Sequence, residues 1–175
     1  MLRHAAVAGS FYPAEPEILR AQVDALLAGE AGPALLPKAL IVPHAGYIYS
    51  GPTAGCAYRC LAGRAAGITR VVLLGPAHRV WLAGLALPEA EAFETPLGTV
   101  PLDAEACERA RALPGVFVSG AAHTQEHCLE VQLPFLQRVL GAFALVPLVV
   151  GAASPGTLAA VLEALWGGPE TLIII

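Results

Sequence analysis

Asparagine is absent from this chain of 175 residues, lysine occurs once against nine arginines, and charged residues of every kind make up only 14%. The first two shortages, together with 15 prolines, suit a GC-rich genome and a thermophilic source. They bear on origin rather than on activity. With a net charge of −4 and no block of like charges, the chain lacks the basic stripe that displaces counterions from a phosphate backbone, so no nucleic-acid partner is expected. No uninterrupted apolar run approaches the roughly 20 residues of a membrane span. The opening residues, MLRHAAVAGSFYP, lack the apolar stretch of roughly 7–15 residues that a secretory signal requires, because Gly9, Ser10 and Pro13 interrupt it. A cytoplasmic location with no membrane contact is the expectation. Also missing are H-E-x-x-H, G-x-S-x-G, G-x-x-x-x-G-K-[ST] and G-x-G-x-x-G after a strand, which removes the main support for zincin, α/β-hydrolase, P-loop and Rossmann readings. Of the four cysteines, Cys56 and Cys60 stand at C-x-x-x-C spacing, wrong for a zinc knuckle or a thioredoxin-type motif. All four, with Cys107 and Cys128, read as free, small buried hydrophobes.

What the chain has in abundance is apolar side chain. At 56% hydrophobic residues it can bury a substantial core, and its length suits a single domain over 1–175. Leu19, Val23, Leu26 and Leu27 recur at helical spacing from Pro16 to Gly29, where Gly29 and Gly32-Pro33 supply a stop. The runs ALIVP (39–43) and RVVLLGP (70–76) read as strands buried on both faces, separated by the alanine-rich TAGCAYRCLAGRAAG, which is long enough for a helix. The pieces of 83–103, broken by Pro88, Pro96 and Gly98, suggest a hairpin or a short antiparallel excursion. A helix is expected from Asp103, then a short strand in GVFVSG. A long helix is expected over 124–140, bent at Pro134, with Cys128, Val131, Phe135, Leu136 and Val139 on its apolar face. FALVPLVVG as a strand, a helix capped by Ser154 with Pro155 at its first position, and the final TLIII complete the alternation. Such a pattern predicts an α/β fold, a three-layer α/β/α arrangement around a mostly parallel or mixed sheet. TLIII reads as the start of a buried strand, so the chain is expected to be truncated at its C-terminus, and an unfinished sheet edge there would favour a homo-oligomer.

Two strands end alike: LIVPHAGY places His44 just after Pro43, and VLLGPAHR places His78 two residues after Pro76. In neighbouring parallel strands both imidazoles would project from one carboxyl edge, where open α/β sheets carry their sites. Two histidines with a carboxylate suit a metal, Fe(II) before Cu or Zn, although each histidine alone could equally cap a strand end. In HTQEHCLEVQLPF, His123, His127 and Glu130 fall on one helical face if the segment is helical. Glu126 and Glu130 beside His127 make that imidazole an acid/base candidate, with a raised pKa and a proton to donate near neutrality. The competing reading of that face is a solvated polar surface. Tyr47, Tyr49 and Ser50, between Gly46 and Gly51 in what reads as a loop at the strand end, are candidates to line the pocket.

Taken in order, AGSFYP (8–13), PHAGYIYSG (43–51), GPAH (75–78), FETPLG (93–98) and EHCLEVQLPFLQ (126–137) resemble the Memo family, called AmmeMemoRadiSam system protein B in bacteria and archaea. The resemblance implies a fold related to the class III extradiol dioxygenases of the LigB type, hence a non-haem iron oxidoreductase with its reaction unassigned. It implies that His44 and His78 are metal-site histidines and that His127, in the motif Glu126-His127-Cys128, is a pocket histidine, with Glu126 beside it as a catalytic candidate; His123 is a pocket candidate from its spacing to His127 alone. Cys128 stands where the family usually has serine. The strand matching TLIII runs in the family into a motif like S-S-D-x-S-H-Y that supplies the remaining metal-site residues, and this chain stops before it. Radical-SAM and AMMECR-type proteins are the implied partners. A different class of function uses the same cleft without metal, to hold a peptide or a small molecule. A metal-dependent hydrolase has less support, since neither strand-end motif carries a carboxylate to bridge a second metal.

Overall fold

The sheet owes its order to which runs can be apolar on both sides. The computed structural model describes residues 1–29 and 37–175. Its elements are β1 (Leu2–Arg3), α1 (Pro16–Leu27), β2 (Ala39–Leu40), α2 (Tyr47–Arg59), β3 (Arg70–Pro76), β4 (Leu85–Leu87), β5 (Ala92–Thr95), β6 (Gly98–Pro101), α3 (Ala104–Arg111), β7 (Val116–Val118), α4 (Gly120–Thr124), α5 (Leu133–Leu140), β8 (Ala144–Val150), α6 (Pro155–Leu165) and β9 (Thr171–Ile174). A six-stranded sheet runs β2-β9-β3-β8-β4-β7. Its pairs are parallel except β4 with β8. A separate three-stranded sheet joins β1 to the β5–β6 hairpin.

Alternation along β3 shows the two-faced burial directly. Val71 and Leu73 enter the core shared with α1, α2 and α5, whereas Val72 and Leu74 enter the core covered by α3 and α6. In β8, Leu145 and Val149 face one side and Val146 and Leu148 the other. The result is the expected α/β architecture with helices on both faces of a mixed sheet. Asp103 and Ser154 cap α3 and α6 as expected, accepting from the Ala106 and Thr157 N–H groups at 2.9 and 3.0 Å. The expected stop at Gly32-Pro33 lies outside the described residues. All four cysteines are free as expected, but only Cys128 is buried, and Cys56 is exposed. Among the described residues no helix is long and apolar enough to cross a membrane.

Two local expectations are corrected. Strand β2 covers only Ala39–Leu40 of ALIVP, and α2 begins at Tyr47, so the tyrosine-rich stretch expected in a loop is a helix start. The helix expected over 124–140 is three pieces: α4 ends at Thr124, a 3-10 turn spans Glu130–Gln132, and α5 starts at Leu133. The break has a chemical cause. The Glu126 carboxylate captures the N–H groups of His127 and Cys128 at 2.9 and 3.2 Å, and Pro134, with no N–H to give, sits in the first turn of α5. His123, His127 and Glu130 consequently do not share a helical face.

Candidate functional site

The order β2-β9-β3 fixes where the histidines meet. His44 follows the carboxyl end of β2 and His78 that of β3, with the end of β9 emerging between them. Segment 126–132 lies against the same edge and supplies His127. The His44 and His78 rings are 5.3 Å apart between centroids, His78 and His127 4.5 Å, and His44 and His127 6.1 Å. Three imidazoles from three distant parts of the chain thus form one cluster. A ligand atom from each of His78, Glu126 and His127 falls within 4.8 Å of the others.

Segment 126–132 is also the clamp that holds the other two loops in place. One Glu126 oxygen accepts from the His78 N–H at 2.7 Å, and the other faces His78 Nδ1 at 2.9 Å. The latter contact fixes the ring and leaves Nε2 free. Cys128 donates its thiol to the Pro76 carbonyl at 3.2 Å, and Gln132 donates to the Pro43 carbonyl at 3.1 Å. Pro76 and Pro43 are the residues that lead into the two histidine loops. Gly75 is required here, because a Cβ would stand 2.5 Å from Cys128 Sγ.

Beneath this segment lies a buried ionic network invisible to local sequence patterns. Arg3 pairs with Glu130, which is wholly buried, and donates to the main-chain carbonyls of His123 and Glu126 at 3.1 and 2.5 Å. Glu130 also accepts from the Ala6 and Val7 N–H groups at 2.8 and 3.0 Å and from the Tyr12 hydroxyl at 2.5 Å. Phe11, beside Tyr12 in AGSFYP, packs its ring 4.7 Å from that of His127. Arg3, Phe11, Tyr12 and Gln132 were not singled out as site residues. AGSFYP holds Phe11 and Tyr12 and EHCLEVQLPFLQ holds Gln132, so Arg3 is the one residue of the four outside every motif.

Burial sets the protonation states. Loss of solvent lowers the His44 and His127 pKa values, helped by repulsion between neighbouring imidazoles and, at His127, by Arg79; attraction to Glu126 does not overcome it. This corrects the expectation of a raised His127: the ring is neutral near pH 7 and accepts a proton rather than donating one. Burial works against ionisation of Glu126, but hydrogen bonds from the His78 N–H and ring and from the Cys128 and His127 N–H groups outweigh it and bring its pKa down to about 2.

The remaining predicted site residues divide. Tyr49 is exposed and lines a groove of about 530 Å³ with Phe11, Pro43, His44, Gly46 and His127. Tyr47 and Ser50 point inward from α2, bonding the Val131 and Ala45 carbonyls at 2.7 and 2.9 Å. They shape the site from behind without lining it. His123 is buried on the far side of Arg3, with Nε2 2.8 Å from the Ala86 carbonyl. The structure does not bring it to the cluster.

Known proteins resemble nearly the whole length of the chain. A family profile described as "Memo-like protein" matches residues 3–174. Relatives described as "MEMO1 family protein" include one from Aquifex aeolicus, 43% identical over 85% of this chain and 55% of its own length. Another, from Pyrobaculum arsenaticum, is 42% identical over 85% of this chain and 56% of its own length. A third, from Sulfolobus acidocaldarius, is 36% identical over 100% of this chain and 68% of its own length. The chain spans about half the length of the first two relatives. With the profile matching nearly the whole chain, this protein belongs to the Memo family.

Proposed function

We propose that the cluster is a transition-metal site, with His44 and His78 as ligands and Fe(II) favoured over Cu or Zn. The observation that carries this reading is the convergence of three imidazoles on one sheet edge, one of them aimed by a buried carboxylate. The donor set fits a metal. His127 Nδ1 is buried with no hydrogen-bond partner, lying 3.3 Å from Glu126 but out of line with it. His44 and His127 are neutral near pH 7, the state in which imidazole ligates. A carboxylate bonded to the far nitrogen of a ligating histidine is the common outer partner of metal sites, so Glu126 is a positioning residue for His78. A bound Fe(II) would supply Lewis-acid and one-electron chemistry, and the reaction class that suits it is a dioxygenase-like oxidation whose substrate is unassigned. His127 accepts a proton from, or hydrogen-bonds to, whatever enters the cleft.

Glu126→Gln is expected to keep the fold and weaken Co(II) or Zn(II) binding roughly 10–100-fold, the usual loss when an outer carboxylate is removed. A competition titration with a chromophoric chelator measures it. Unchanged affinity would remove Glu126 from the site and leave the histidine pairing unexplained. The second reading, a metal-free binding module, draws on the mainly apolar lining of the Phe11–Tyr49 groove. Ligand binding that persists after exhaustive EDTA treatment would favour it.

A further inference from the structure

Arg79 adjoins the histidine cluster and has no work inside the protein. Among the described residues, every other arginine pairs with a carboxylate or a main-chain carbonyl, as Arg3 does with Glu130, Arg64 with Pro169 and Arg70 with Asp103. The remaining five do likewise. Arg79 makes no such contact, yet its charge reaches His127. It lines a groove of about 470 Å³ with His78, Trp81, Leu82, Val150 and Gly151, within the size range of small-ligand sites. Trp81 in the same groove is 81% exposed. The walls are ordered rather than loose, with the Ala77 N–H on the Val150 carbonyl and the Ala152 N–H on the Leu82 carbonyl, each at 2.8 Å.

These features specify a ligand. Glu126, the carboxylate of the cluster, is turned toward the His78 N–H and ring and the His127 and Cys128 N–H groups and makes no ion pair with Arg79. A guanidinium pairs best with a planar carboxylate through two parallel N–H bonds. An exposed indole offers a flat apolar face on which an aromatic ring stacks. We propose that this groove binds a small aromatic carboxylate, its anionic group on Arg79 and its ring on Trp81, with one end against His78. The inference rests on the histidine cleft being a ligand site, and it adds the class of molecule that enters it. Arg79 is then a specificity residue for charge and Trp81 for shape.

The test uses benzoate as probe and Trp81 as reporter. The only other tryptophan, Trp166, is removed by Trp166→Phe. Titration of Trp81 fluorescence is expected to saturate with benzoate. Acetate, which lacks the ring, and benzamide, which lacks the charge, should each bind about tenfold more weakly or worse. Arg79→Gln should weaken benzoate about tenfold without affecting benzamide, and Arg79→Lys should restore part of the loss. Since Arg79 is exposed and unbonded, circular dichroism should show the variants folded. Absence of saturation, or benzoate binding indifferent to Arg79→Gln, overturns the proposal. Running the titration with EDTA and with Zn(II), alongside a measurement of retained zinc, separates the two ideas. Retained zinc without benzoate binding defeats this inference alone, and benzoate binding that depends on Arg79 in protein that retains no zinc upholds it while defeating the metal reading.

Discussion

Glu130→Ala is expected to destabilise the protein by about 3–5 kcal/mol, the cost of leaving one member of a buried ion pair without its partner. Against a typical domain stability of about 5–15 kcal/mol, that is enough to unfold much of the population on mild heating. The argument rests on what Glu130 satisfies: the Arg3 guanidinium, the Ala6 and Val7 N–H groups and the Tyr12 hydroxyl, all around a fully buried carboxylate. Removing both charges as Arg3→Met with Glu130→Leu should recover part of the loss, since two apolar side chains replace a desolvated pair. Recovery should stop short of the parent, because the two N–H groups stay buried without acceptors. Urea unfolding midpoints measure all three proteins. A loss below about 1 kcal/mol in Glu130→Ala would show that the network is loosely held or wet. Because Arg3 also carries the carbonyls of His123 and Glu126, the same variant should weaken metal binding along with stability.

Acidification should unfold the protein in two steps that belong to different groups. Burial lowers the His123 pKa from 6.5 to about 4, with its bond to the Ala86 carbonyl opposing the shift and Arg3 adding to it. Above pH 6.5 the ring is neutral whether the chain is folded or not, and pH has no leverage through it. Between pH 6.5 and about 4 the unfolded chain takes up a proton that the folded chain refuses, so stability falls as pH falls. At about 1.4 kcal/mol per pKa unit, the full interval amounts to about 3–4 kcal/mol. The lowered His44 and His127 pull in the same direction. Below pH 4.5 a second loss begins, as the Glu126 carboxylate, held down to about 2 in the folded state, becomes easier to protonate in the unfolded one. Urea midpoints at pH 7.5, 6, 5 and 4 should trace this decline, and His123→Gln, which can still donate to Ala86, should flatten its upper part. A stability that stays level from pH 7.5 to 5 would contradict the assignment.

How much of this could be read in advance depends on whether the cause was local. RVVLLGP is apolar on both faces because β3 is covered on both faces, and a continuous apolar run reports that without knowledge of partners. The convergence of His44 and His78 at one carboxyl edge follows from both strands running parallel in one sheet, although β9 separates β2 from β3 where neighbours are expected. Where the cause is a side chain competing for backbone donors, burial, or a partner far along the chain, the sequence does not report it. The apolar spacing of Cys128, Val131, Phe135, Leu136 and Val139 mimics a helix, but a side chain of the segment itself, Glu126, takes the backbone donors that the helix would need. A place in the pocket for Tyr47 and Ser50 presupposes a loop where α2 in fact starts. Within a helix the same residues turn inward while Tyr49 turns out. The charges beside His127 are legible in sequence and its burial is not, and burial sets the downward direction of its pKa. Arg3 could not be paired at all, because its partner lies 127 residues away.

In the proposed site His44 and His78 hold a metal at this sheet edge. Its most direct test is iron per chain by ICP mass spectrometry after anaerobic Fe(II) loading and desalting, on the parent protein, His44→Ala and His78→Ala. The account predicts iron retained by the parent and lost from each variant, with circular dichroism unchanged. Equal iron in all three, or none in the parent, would contradict it and return the cluster to the reading of a metal-free binding cleft.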